Sequence, residues 1–142
     1  MRGEGVNEHI GDNMKDKNQP PLTNKERAML QMSIVASCFG FGVQDSDVLS
    51  YRRTERIVLA RQTIYWLLRK SDFTYPRIAL AVNRDHAATL KGVKQIEGIL
   101  ELDLEGGYCD CIKNSFKYYK DFYREHLRKE NERAKERIKD VV

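Results

Sequence analysis

The chain has no hydrophobic run long enough to cross a membrane: its longest apolar stretch, around residues 57–68, is broken by Arg61 and Gln62. Its opening residues, Met1-Arg2-Gly3-Glu4-Gly5, do not lead into the apolar segment a secretion signal requires. A cytoplasmic location is the expectation. Cysteine is scarce: Cys38, Cys109 and Cys111 form no CxxC pair, which argues against a disulfide framework and for a reducing compartment. Cys109-Asp110-Cys111 offers two thiols without a second ligand pair, a poor zinc site, so no metal is expected. Also missing are a G-x-x-x-x-G-K-[S/T] loop, an HExxH pair and a G-x-S-x-G elbow. No nucleotide, no cofactor and no catalytic residue are therefore expected, and no enzyme.

What is present is positive charge in one place. Residues 1–50 carry five Lys/Arg against seven Asp/Glu, and residues 95–142 carry ten against eleven. Residues 51–94 carry ten against three, so the net of +4 is more than supplied by one segment of +7. A localised one-signed patch is the electrostatic footprint of a nucleic-acid binder, whereas the mixed C-terminal charges fit a solvated helix face. At 142 residues there is room for one modest core and tails.

Along the chain, residues 1–22 lack apolar periodicity, contain Pro20-Pro21, and read as a disordered arm. Thr23-Asn24-Lys25-Glu26 has capping-box spacing and starts a helix with Leu30, Ile34, Val35 and Cys38 on one face, ended by Gly40 and Gly42. Asp45 or Ser46 caps a short helix carrying Val48 and Leu49. Tyr51-Arg52-Arg53-Thr54-Glu55-Arg56 has no apolar face and reads as an exposed basic loop. Residues 57–70 return to helical spacing, with Tyr65 and Trp66 as core or rim packing. Tyr75-Pro76 opens another short helix, Val82-Asn83-Arg84 breaks it, and Asp85 caps a longer one whose stripe is Leu90, Val93, Ile96 and Leu100. Short helix, tight turn and longer helix outline a helix-turn-helix. A last helix from about residue 110 carries Ile112, Phe116, Tyr119, Tyr123 and Leu127 at helical spacing, then a charged tail. That stripe either docks on the domain or pairs with another chain; residues 110–127 are thus the surface for a homodimer or protein partner.

The string Asn83-Arg84-Asp85-His86-Ala87-Ala88-Thr89-Leu90-Lys91-Gly92-Val93-Lys94-Gln95-Ile96 resembles the signature of the C-terminal DNA-binding domain (domain IV) of the bacterial replication initiator DnaA. Arg52-Arg53 followed by Ala60-Arg61-Gln62, and Tyr75-Pro76-Arg77-Ile78-Ala79, resemble further blocks of that family in the same order, over roughly residues 27–101. The resemblance implies an all-α, Trp-repressor-like helix-turn-helix bundle over residues 23–104, with a C-terminal extension helix over 105–142. It implies a double-stranded DNA partner in a bacterial cytoplasm, that of the cell itself or of a phage's host. Asp85, His86, Ala87 and Ala88 would face base edges in the major groove, Arg53 would enter the minor groove, and Arg52, Arg56, Arg61, Gln62, Arg84, Thr89, Lys91 and Lys94 would hold the backbone. Ala87 and Ala88 depart from the family's two hydroxyl residues, leaving only methyl contacts to thymine there. Three roles stay open: a stand-alone box reader in replication or its control, a transcription regulator on the same scaffold, and an adaptor working through the aromatic helix.

Overall fold

The computed structural model describes residues 19–141, side chains to residue 140. Among them there are six helices and no strand: α1 (Asn24–Phe41), α2 (Asp45–Val48), α3 (Glu55–Lys70), α4 (Tyr75–Val82), α5 (His86–Leu102) and α6 (Gly107–Val141). The all-α expectation holds. The expected N-terminal arm lies outside the described residues apart from its last four.

Local chemistry sets the helix ends. The Thr23 hydroxyl accepts from the Glu26 N–H at 3.0 Å while Glu26 accepts from the Thr23 N–H at 2.9 Å, closing the capping box read from the sequence. At the other end Gly42 takes φ 68°, a left-handed conformation that glycine adopts at no steric cost, and its N–H returns to the Cys38 carbonyl. α2 starts one residue earlier than its expected caps: Gln44 holds the cap position without a side-chain bond, and Asp45 sits in the first turn. α3 likewise starts at Glu55, so the basic loop is shorter than residues 51–56 and ends at Thr54.

The core gathers one face of α1, most of α3, the inner face of α5 and the first half of α6. Phe41, Leu67, Leu68, Ile78, Ile96 and Ile112 are at most 1% exposed, and Tyr65 and Trp66 are buried with them. Five hydroxyl side chains are also fully buried, and each donates to a backbone carbonyl; the Ser37 hydroxyl does so between helices, to Ala60 at 2.6 Å. An unpaired buried hydroxyl would cost roughly 1–3 kcal/mol, so these bonds are what permit polar residues in so small a core.

α6 docks on the domain. A Cβ on Gly40 would overlap Ser115 and the Cys111 carbonyl, so glycine lets α1 and α6 approach closely. Ile112 and Tyr119 are buried against the core, and the Trp66 and Phe116 rings meet edge to face at 5.3 Å. Of the expected stripe, Leu127 is 43% exposed. The stripe therefore serves the core through Tyr123 and leaves it after that, where the helix has passed the end of its partners. Cys38 is also buried.

Candidate nucleic-acid interface

The helix-turn-helix is α4, a turn, and α5. Thr74 caps α4 with its hydroxyl 3.4 Å from the Arg77 N–H, and Asn83 closes it at φ 55° and ψ 49°. Few residues other than glycine enter the left-handed region readily, and asparagine is one of them. The Arg84 N–H then returns to the Ala79 carbonyl at 3.1 Å, and the Asp85 carboxylate accepts the Ala88 N–H at 2.7 Å, starting α5. This turn fixes what the first turn of α5 presents. Ala87, Ala88, Lys91 and Lys94 are exposed, and Asp85 and His86 are half-buried.

Three expected contacts find other partners. Thr89 is fully buried and its hydroxyl donates to the His86 carbonyl at 2.9 Å, so it cannot reach a phosphate. It also replaces Leu90 on the inner stripe, which runs Thr89, Val93, Ile96 and Leu100; Leu90 is 39% exposed. A one-residue step on a helix is about 100°, enough to turn the neighbouring side chain outward. Arg61 donates from Nε to the Val48 carbonyl at 3.0 Å, and from Nη2 to the Ser50 and Arg52 carbonyls at 2.8 and 3.0 Å. It is a clamp on the basic loop rather than a side chain reaching outward. Arg56 donates to the Phe41 carbonyl at 2.7 Å and lies 5.5 Å over the Tyr108 ring, tying α3 to α1 and α6.

What the clamp holds in place is the loop beside the turn. Tyr51, 84% exposed, carries the Arg84 guanidinium 5.1 Å above its ring, joining loop to helix-turn-helix in a cation–π contact. Burial suppresses the acidity of the Tyr65 hydroxyl, and the nearby charges of Arg84 and Arg61 partly restore it. Burial pushes the Arg61 pKa down, and the like charges of Arg84 and Arg53 push it the same way. Arg53, Arg61 and Arg84 thus share one electrostatic neighbourhood. Arg52 and Arg53 are exposed; Arg52 lies 3.6 Å from Asp47, and Arg53 has no ion-pair partner among the described residues.

Two buried polar atoms at this site have no partner among the described residues: Gln62 Oε1 and His86 Nε2. With Nε2 shut away, His86 presents a hydrogen-bonding group to a base only through Nδ1 or after a rotation of its ring. Tyr51 is the residue the sequence reading passed over. Its signal was an aromatic side chain beside two arginines in a stretch with nothing to bury it.

Arg77 is the third residue of α4, directly after Pro76, and points away from this surface chemistry. Its guanidinium donates to both Glu26 carboxylate oxygens, to Gln19 and to the Pro20 and Pro21 carbonyls, holding the chain before α1 against α4. The Glu26 carboxyl is held below its ordinary value, first by the Arg77 hydrogen bond. Among the described residues no group of three or more metal-ligating side chains comes together, and no helix is long and apolar enough to cross a membrane.

Residues 32–96, from within α1 to within α5, match the family model of the bacterial DnaA protein helix-turn-helix. A chromosomal replication initiator protein DnaA from Oleidesulfovibrio alaskensis is 32% identical over 76 residues, which cover 51% of this chain and 16% of that protein. The chain therefore spans a small fraction of the length of the curated relative it matches. The resemblance carried by the Asn83–Ile96 string and its upstream blocks is borne out over this segment.

Proposed function

We propose that this chain, whose central segment is a helix-turn-helix of the DnaA kind, binds double-stranded DNA sequence-specifically and acts in replication initiation or its control. Tyr51 stacked on Arg84 is the observation that carries the reading. It sets the basic loop and the start of α5 side by side, so one duplex can meet both. In this reading the first turn of α5 enters the major groove, where Ala87 and Ala88 offer methyl groups to thymine and Asp85 and His86 approach base edges. Arg53, exposed and without an ion-pair partner among the described residues, enters the neighbouring minor groove, where A·T pairs deepen the negative potential. Lys91 and Lys94 take phosphates, with Arg52, Arg84 and the exposed part of Gln62 beside them. Arg56, Arg61 and Thr89 act through the scaffold instead.

Selection of binding sites from a random duplex pool tests this. A short enriched site with an A·T-rich flank is expected, with the preference lost in His86→Ala. Recovery of no motif, with affinity that only tracks salt, overturns it.

A further inference from the structure

A cavity of about 310 Å³ opens between α1, the α2–loop segment, α3 and the turn after α4. That is the small end of the range of ligand sites, roughly 300–1,000 Å³. Its two ends differ in chemistry. Ile34, Val48 and Ile64, all buried, line the inner part, whereas Arg61, Arg84 and the exposed Tyr51 ring line the outer part.

The outer part has unbalanced charge. Among the described residues no carboxylate lines the cavity. Arg61 spends Nε and Nη2 on loop carbonyls, which are neutral, and its Nη1 has no partner among the described residues. Arg84 rests on the Tyr51 ring, with no ion pair among the described residues. Asp85, whose charge reaches Tyr65, is committed to capping α5. Two guanidiniums at the mouth of an apolar hollow favour an anion, because a partly desolvated cation gains most from a charge-assisted partner. Inorganic phosphate would use the charge and leave the hollow unfilled; a neutral hydrocarbon would do the reverse.

We propose that this cavity binds a small amphipathic carboxylate, its compact apolar body among Ile34, Val48 and Ile64 and its carboxylate on Arg61 and Arg84. A planar carboxylate matches the forked donors of guanidinium. A single aromatic ring or a short branched chain suits a hollow of this size. Because Arg61 clamps the loop and Arg84 belongs to the helix-turn-helix turn, the ligand would tie these two segments together.

The test needs no DNA, so it stands or falls apart from the function proposed above. The probe is 3-phenylpropionate, titrated into the full chain and followed by methyl and amide NMR shifts, with 3-phenylpropionamide and inorganic phosphate in parallel. Saturable shifts at Ile34, Val48 and Ile64 are expected below about 10 mM carboxylate, an affinity suited to so small a ligand. The amide is expected to bind roughly tenfold more weakly, having lost the charge-assisted bonds. Phosphate is expected to leave the three aliphatic residues unmoved. Ala81→Phe, which places a ring in the cavity, is expected to abolish the shifts while leaving the helical circular dichroism intact. Equal binding of the amide, equal shifts with phosphate, or no saturation with the carboxylate overturns the proposal; the amide and phosphate comparisons require no variant to fold.

Discussion

The basic loop before α3 and the last turns of α6 are both exposed and both dense in charge, yet they handle it in opposite ways. Along α6 the charges neutralise one another at helical spacing: Arg124 with Asp121 at 3.3 Å, Arg128 with Glu125 and Glu132 at 2.6 and 2.5 Å, Lys139 with Glu136 at 3.8 Å. Around the loop, Arg53, Arg61 and Arg84 share a neighbourhood, and what holds Arg61 and Arg84 is neutral: backbone carbonyls and an aromatic face. A helix that balances its own charge has little left for a partner. Cations positioned by dipoles keep their field. Charge density alone does not distinguish the two; the identity of the groups that hold each cation does.

The comparison breaks most sharply at Ala88→Glu. This exposed position in the first turn of α5 tolerates a carboxylate, so the fold should persist while a negative charge faces the duplex; a loss of DNA affinity of about a hundredfold or more is expected in a fluorescence titration. Unchanged affinity would remove α5 from the interface. Next comes Arg61→Ala, which releases three carbonyls. It should lower stability by roughly 1.5–3 kcal/mol in urea and reduce DNA affinity through the loosened loop, and Arg61→Lys should recover little, since an ammonium cannot span the same fork.

Lys94→Ala should weaken all duplexes alike by a few-fold and reduce the salt slope by about one, whereas Arg53→Ala should chiefly relax A·T preference. Equal effects from both on every sequence would remove the minor-groove role. A smaller effect is expected from acid. Because the Glu26 carboxyl is held below its ordinary value of 4.5, its contribution to stability is present above that value and lost as the pH falls through the depressed one. The urea midpoint of the wild type should exceed that of Glu26→Gln at neutral pH, and the gap should narrow as the solution is acidified below that ordinary value. Smallest of all is Arg128→Ala, which should leave both DNA affinity and the melting temperature unmoved within error, since exposed pairs of this kind stabilise little.

Most of the helical frame was legible because its ends are written in local chemistry. Thr23 with Glu26, Asn83 and Asp85 each specify a cap that depends only on neighbours in the chain. The site was legible as a region but not as a set of roles. Nothing near Arg61 or Arg56 in sequence announces that their partners are carbonyls of Val48 and Phe41, because those partners arrive through tertiary packing. Thr89 and Leu90 were exchanged for a related reason. A hydroxyl that satisfies itself on the His86 carbonyl can be buried as readily as an aliphatic side chain, so polarity misleads by one position.

Packing also decides how the three thiols react. Cys38 is buried in the core, and its pKa is pushed up to about 11 by that burial and by Asp45 and Asp47, so it is almost wholly protonated at neutral pH. Cys109 is 4% exposed, which leaves Cys111 as the one cysteine with appreciable surface. A maleimide dye added to the folded chain should therefore label a single position on α6, beside the Arg56 guanidinium, giving a spectroscopic marker away from the first turn of α5 without any engineered residue.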